Sequence, residues 1–149
     1  MFKHILVPTD GSELSAKTIK QAILFAKSLG AETQITAFFA QPEYPTSYFA
    51  EGALIDPETP DEFSKNTSEQ ANKYLNDIAK EAANVGVKCN VVTKISDSPF
   101  KAIIEVAESE KCDLIFMASH GRRGLAGLLL GSETNRVLTH TKIPVLVYR

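Results

Sequence analysis

Short apolar runs rich in β-branched or aromatic residues alternate with longer helical patterns along the chain, and this alternation most constrains its fold. The first run, HILV, is closed by Pro8, which cannot donate to a sheet ladder and so predicts the end of a strand. Apolar residues at helical spacing follow, with Ser12 as the predicted N-cap and Gly30 beyond the C-terminus. They predict a helix from about Glu13 to Leu29.

The same alternation recurs to the end of the chain. Further strands are predicted at TQITAFFA, KCNVVTK, DLIFMA and PVLVY. Further helices are predicted at a pattern that stops at Gly86, at SDSPF with Ser98 as cap and Pro99 in the first helical position, and at SETNRVLTH with Ser132 as cap. Strands joined by helices in right-handed crossovers predict an α/β protein with a doubly wound parallel sheet and helices on both faces.

A glycine-rich loop, ASHGRRGLAGLLLGSET, joins DLIFMA to the last predicted helix. The first N–H groups of a helix have no partner within it, and its dipole favours negative charge, so the loop outlines an anion site. No lysine follows Gly131 and no G-x-G-x-x-G follows the first strand, which excludes a P-loop or a usual dinucleotide site. The alternative is that these glycines only form a long turn.

In an open α/β sheet, ligands bind at the carboxyl ends of the strands where the connections diverge. If the first strand is central and the fourth is its neighbour, PTDGS and ASHG meet at that crevice. Asp10 can then accept hydrogen bonds from a sugar hydroxyl or an adenine amine. The amides of Gly121 and Gly131 would face the phosphates. Arg122 and Arg123 either add charge there or, as is usual for exposed loop arginines, point into water.

The segments ILVPTDGS, DLIFMASHGRRGLAGLLLGS and IPVLVYR together resemble the universal stress protein family, and the elements between them agree along the whole chain. The nucleotide-binding branch of that family carries G-x2-G-x9-G-[ST] after the fourth strand. Gly121, nine residues, Gly131 and Ser132 match this motif, whereas Ala118 stands where the first glycine is expected.

The resemblance implies one domain over residues 1–149, with a five-stranded sheet of order 3-2-1-4-5 similar to adenine nucleotide alpha hydrolases. It implies ATP, ADP or AMP as a regulatory ligand in a stress response, with Mg²⁺ or Mn²⁺ held by the phosphates. Adenine would lie near Asp10 and Phe39, ribose near Ala118, and phosphates on Gly121, Gly131 and Ser132. The implied binding residues are Pro8, Thr9, Asp10, Phe39, Ala118, Ser119, His120, Gly121, Arg122, Gly131, Ser132 and Glu133.

The resemblance also implies a homodimer through the last strand, Pro144–Arg149, which would otherwise be an exposed apolar edge. A formal charge of −2 argues against nucleic-acid or membrane partners. Two cysteines outside any metal spacing, and no apolar run long enough for a signal or a membrane span, predict a cytoplasmic protein.

No catalytic constellation is evident, since Ser119 and His120 are adjacent and no acid is fixed to orient the imidazole. His120 is interpreted as a loop residue that shapes the site. A nucleotide-free dimeric adaptor that binds an unknown protein is the alternative function. A third hypothesis is slow ATP hydrolysis or self-phosphorylation on Ser132 or Ser119.

Residues Gln41 to Pro60 carry no convincing period. Loops of this length in compact domains are often functional lids or excursions from the surface. A flap near the site and a plain surface excursion are both consistent with the sequence.

Overall fold

The computed structural model describes residues 1–45, 58–121 and 130–149, and within them strands and helices alternate as the sequence predicts. The elements are β1 (His4–Thr9), α1 (Glu13–Leu29), β2 (Gln34–Gln41), α2 (Pro60–Asn84), β3 (Lys88–Ile95), α3 (Pro99–Ser109), β4 (Leu114–Ala118), α4 (Ser132–His140) and β5 (Val145–Tyr148). None of the helices in the described ranges is long and apolar enough to span a membrane.

The strands form one parallel sheet in the order β3-β2-β1-β4-β5, which confirms the predicted fold. β1 is central: it pairs with β2 on one side and with β4 on the other. The chain therefore winds first toward one edge and then, after β3, crosses to the other. The connections that leave β1 and β4 diverge at the carboxyl ends of these strands, where such sheets bind ligands.

Two apolar clusters cover the two faces of the sheet. Alternate β1 residues face opposite sides, so Ile5 and Val7 pack under α1 and α2, whereas Leu6 packs under α3 and α4. β4 is buried along its whole length, as expected for a strand covered on both sides. β5 lies at an edge and is half-buried throughout.

β1 continues through Pro8 to Thr9, two residues beyond the predicted run HILV. Its pairing with β2 extends to Thr9 opposite Phe39, whereas its pairing with β4 stops at Leu6. Pro8 therefore lies where the β1–β4 ladder has already ended, and its missing N–H costs that ladder nothing.

The helix caps explain where α1 begins and ends and where α2 begins. Ser12 accepts the Ser15 N–H at 3.2 Å and Gly30 follows α1 with a φ of 122°, so this helix matches its prediction. α2 begins at Pro60, ahead of its first buried residue, Ala71, because Thr59 and Glu62 form a reciprocal capping box.

Both cysteines are free thiols in the core or at its margin. Burial, followed by the nearby carboxylates of Glu110 and Asp113, raises the pKa of the Cys112 thiol to about 12. Burial also raises the pKa of Cys89. Neither thiol is a reactive thiolate at neutral pH, which fits a packing role.

Candidate functional site

A cavity opens at the carboxyl ends of β1 and β4, between the sheet and the first turns of α3 and α4. Its described lining is mostly apolar, with Phe38, Ile103 and Met117 among the larger side chains. Seven of the residues predicted from the sequence line it, namely Pro8, Thr9, Asp10, Ala118, His120, Gly121 and Glu133. The structure thus joins PTDGS and ASHG at one crevice.

Asp10 is held at the mouth of this cavity by its own turn. One carboxylate oxygen, Oδ1, accepts the Ser12 N–H at 2.9 Å, which ties the acid to the start of α1. A methyl group added to Gly121 would overlap the other oxygen, Oδ2, and would lie 3.3 Å from Cγ. Glycine at position 121 is therefore what lets the Asp10 carboxylate lie against the β4 loop.

Gly131 packs closely against the backbone of Ser119 and His120. Its φ of −69° and ψ of 157° are open to any residue, but an added Cβ would lie 3.0 Å from the His120 Cα. Its N–H donates to the Ser119 carbonyl oxygen at 2.7 Å. This amide is thus occupied within the protein, contrary to its predicted place facing a phosphate, and the glycine serves a tight contact between the loop and α4.

The first turn of α4 carries no side-chain cap. The N-cap is Gly131, so the prediction of Ser132 as cap is wrong: Ser132 is the first helical residue and is exposed. Thr134 in the same turn donates its hydroxyl to the Ala118 carbonyl oxygen at 3.0 Å, which fixes α4 against the end of β4. The N–H groups of a first turn have no partner within their helix, so an anion on this rim would find donors.

Glu133 connects the two helices that border the cavity. Its Oε2 accepts the Phe100 N–H of α3 at 2.8 Å, and its Oε1 lies 3.4 Å from an Arg136 nitrogen. Ser98 occupies the N-cap of α3 as predicted, but its hydroxyl makes no capping bond, so the Glu133 carboxylate supplies one from another helix. Sequence reasoning gave Glu133 only as a ligand contact, because this pairing joins residues far apart in the chain.

Ser119 and His120 are hydrogen-bonded, with the Ser119 Oγ 3.1 Å from the His120 Nδ1. Ser119 is 2% exposed and is not among the residues that line the cavity, whereas His120 is. A hydroxyl sealed from the cavity is a poor nucleophile for a ligand bound there. The contact orients the imidazole toward its place in the wall.

The Phe39 side chain lies on the other face of the sheet. Its ring packs edge-on against Tyr74 of α2, with 6.5 Å between the centroids. Side chains alternate along β2, so Phe38 and Ala40 line the cavity instead. Phe39 was predicted at the ligand from the sequence, whereas its neighbours Phe38 and Ala40 line the cavity.

Some of the predicted features lie outside the described residues. Arg122 and Arg123 are among them, as is most of the predicted flap. Within the described part of that flap, Tyr44 packs edge-on against Phe63 of α2 and donates to the Glu58 carbonyl oxygen at 2.7 Å. The described residues contain no group of three or more His, Cys, Asp or Glu placed to hold a metal ion.

A doubly wound parallel sheet with a mostly apolar cavity at its switch point defines an α/β protein whose cavity lies where such sheets bind ligands. The universal stress protein family model matches residues 1–149, and the chain belongs to that family.

Among its relatives, universal stress protein MJ0531 of Methanocaldococcus jannaschii is 33% identical, covering 100% of this chain and 83% of that protein. Universal stress protein MJ0577 of the same organism is 31% identical, covering 100% and 96%. The solved structure of MJ0577 aligns with a TM-score of 0.82 and 32% identity, covering 99% and 95%.

Two more distant solved structures share the fold and contain nucleotides. One is a universal stress protein in complex with cAMP, with a TM-score of 0.67, 24% identity and coverage of 99% and 97%. The other is a family member from Arabidopsis thaliana with AMP bound, with a TM-score of 0.67, 14% identity and coverage of 97% and 90%.

Proposed function

We propose that this protein binds an adenine nucleotide as a regulatory ligand in a stress response. The observation that carries the proposal is the cavity at the ends of β1 and β4, where Asp10 lies beside Gly121 and the first turn of α4 borders the same space. An apolar pocket with the Asp10 carboxylate at its mouth and a helix N-terminus on its rim matches a flat heterocycle joined to a phosphate.

Each part of a nucleotide has a matching wall. Phe38, Ile103 and Met117 offer apolar surface to the base. Asp10 would accept a hydrogen bond from the adenine amine or a ribose hydroxyl. The phosphate would bind the N–H groups of the first turn of α4, since the Gly131 amide is occupied by Ser119. The cAMP and AMP found in distant members of the fold support this ligand class.

A nucleotide-free adaptor is the second candidate, and Ala118 favours it. The family motif has glycine at this position, and the alanine methyl here borders the cavity at 9% exposure. If that methyl crowds the ribose, the fold would act through its surfaces with the cavity unused. Any turnover of ATP would be slow, because Ser119 is buried and is not among the residues that line the cavity.

Thermal melts with adenosine, AMP and ATP, each tested with EDTA or with excess Mg²⁺, test the ligand proposal. At a concentration about a hundredfold above Kd, binding adds roughly 2.7 kcal/mol, which raises Tm by about 5–10 °C. Asp10→Asn keeps an oxygen for the Ser12 N–H but removes the charge, so we expect most of the shift to be lost. If no ligand shifts Tm and calorimetry detects no binding, the nucleotide proposal is rejected and the adaptor function is the one that stands.

We further propose a homodimer that pairs β5 with its copy. β5 is an edge strand of half-buried apolar residues, and a partner strand would remove that edge. Val147→Lys is expected to halve the mass measured by light scattering after gel filtration, because it places a charge in the interface. Ile95→Lys, the same type of change on the opposite edge strand, should leave the mass unchanged. A monomeric wild type would exclude the dimer.

We propose a cytoplasmic location for the protein. Its two cysteines are unpaired and neither has a lowered pKa, which suits a reducing compartment.

A further inference from the structure

Two carboxylates, those of Asp10 and Glu133, border the cavity. Asp10 lies at the end of β1 and Glu133 in the first turn of α4. Asp10 would accept a hydrogen bond from a neutral amine or hydroxyl group of the ligand. Glu133 instead belongs to the turn whose N–H groups would receive a phosphate, so it bears on how much negative charge the site accepts.

The position of Glu133 is fixed by contacts. Oε2 accepts the Phe100 N–H at 2.8 Å, which holds the carboxylate between α3 and α4. Arg136 lies 3.4 Å from Oε1, but both side chains are partly exposed, so water screens the pair and the neutralisation is incomplete. The carboxylate cannot swing away from the rim without leaving the first turn of α3 uncapped.

We propose that Glu133 is a charge-selecting residue that makes this cavity favour adenosine and adenosine monophosphates over ATP. The inference rests on the proposed function, because it needs a phosphate at the first turn of α4. Each additional phosphate charge brought to that turn meets the fixed carboxylate, and the repulsion grows with ligand charge while the base is unaffected. The affinity for a neutral nucleoside should therefore not depend on the Glu133 charge, and the affinity for a triphosphate should depend on it most.

Glu133→Gln is the matched test, since its amide oxygen can still accept the Phe100 N–H after the charge is gone. Calorimetry in EDTA at low salt would compare adenosine, AMP and ATP. We expect ATP affinity to rise about tenfold, AMP affinity to rise less, and adenosine affinity to stay within about twofold. The gain in ATP affinity should be smaller in 0.5 M salt, because the screening length there is about threefold shorter than at low salt.

Two further variants separate charge from structure. Glu108→Gln makes the same change in net charge at the far, exposed end of α3 and should leave all three affinities unchanged. Glu133→Ala removes the acceptor as well as the charge, so its ligand-free Tm should fall about 2–4 °C below that of Glu133→Gln. That difference would show that the glutamine variant keeps the cap.

The outcomes distinguish this inference from the function on which it rests. If the wild type binds adenosine and Glu133→Gln shifts ATP and adenosine equally, or neither, charge selection is overturned and nucleotide binding stands. If neither protein binds any of the three ligands, both proposals are overturned. ATP binding that appears only in Glu133→Gln would support charge selection directly.

Discussion

Replacing Phe38 with alanine is expected to lower the free energy of unfolding by about 3–5 kcal/mol, the range for truncating a buried phenylalanine. The side chain is 1% exposed and packs in the cluster under α3 and α4 while lining the cavity. Tm should fall by about 6–20 °C in a chain of this size. Urea denaturation followed by circular dichroism would measure the change in free energy.

Phe39→Ala is the control, because it removes the same ring from the opposite face of β2. Phe39 is only partly buried and touches Tyr74 at the margin of the other cluster. Its truncation should cost less than half as much and should leave adenosine affinity unchanged. An equal or larger cost for Phe39→Ala would contradict the register of β2 described here.

Gly121→Ala is expected to weaken adenosine binding at least about tenfold while lowering stability by less than about 1 kcal/mol. The new methyl would overlap Asp10 Oδ2, the end of a side chain, which can rotate aside more readily than backbone can. Rotation removes the carboxylate from the place where it would meet the ligand. Calorimetry with adenosine and urea denaturation would separate the two effects.

Gly131→Ala should lower stability more than it lowers ligand affinity. Its methyl would lie 3.0 Å from the His120 Cα, a backbone atom that cannot rotate aside. We expect a loss of about 1–3 kcal/mol in stability, typical of overpacking, with ligand affinity reduced only as far as α4 shifts. Unaltered ligand binding in Gly121→Ala, or unaltered stability in Gly131→Ala, would show that these glycines do not act as the geometry indicates.

The fold could be predicted from the sequence because each element carries its own local signal. Ser12 and Gly30 delimit α1 at the observed residues, and the apolar run DLIFMA contains the buried strand β4. No start for α2 is predicted from the sequence, because its first turns bury little and show no apolar period, although Thr59 and Glu62 have the spacing of a capping box. Local signals of hydrogen bonding were thus available where hydrophobic ones failed.

The site was predicted less completely, because its decisive contacts join distant residues. Asp10 and Gly121 were placed at one crevice by the topology of the sheet. The sequence could not tell that Phe38 rather than Phe39 faces the cavity, since a run of apolar residues hides the alternation of a strand buried on both sides. Nor could it show that Glu133 caps α3, because no local pattern links it to Phe100.

The central position of β1 has a consequence for biosynthesis. This strand is made first, but its contacts with β4 wait for a segment about 110 residues later, where Asp113 binds the Lys3 N–H. At about 5–20 residues per second, a ribosome needs roughly 5–20 s to deliver that segment. Until then the edge of β1 that pairs with β4 in the finished sheet is open, and completion of the sheet belongs to the last third of translation.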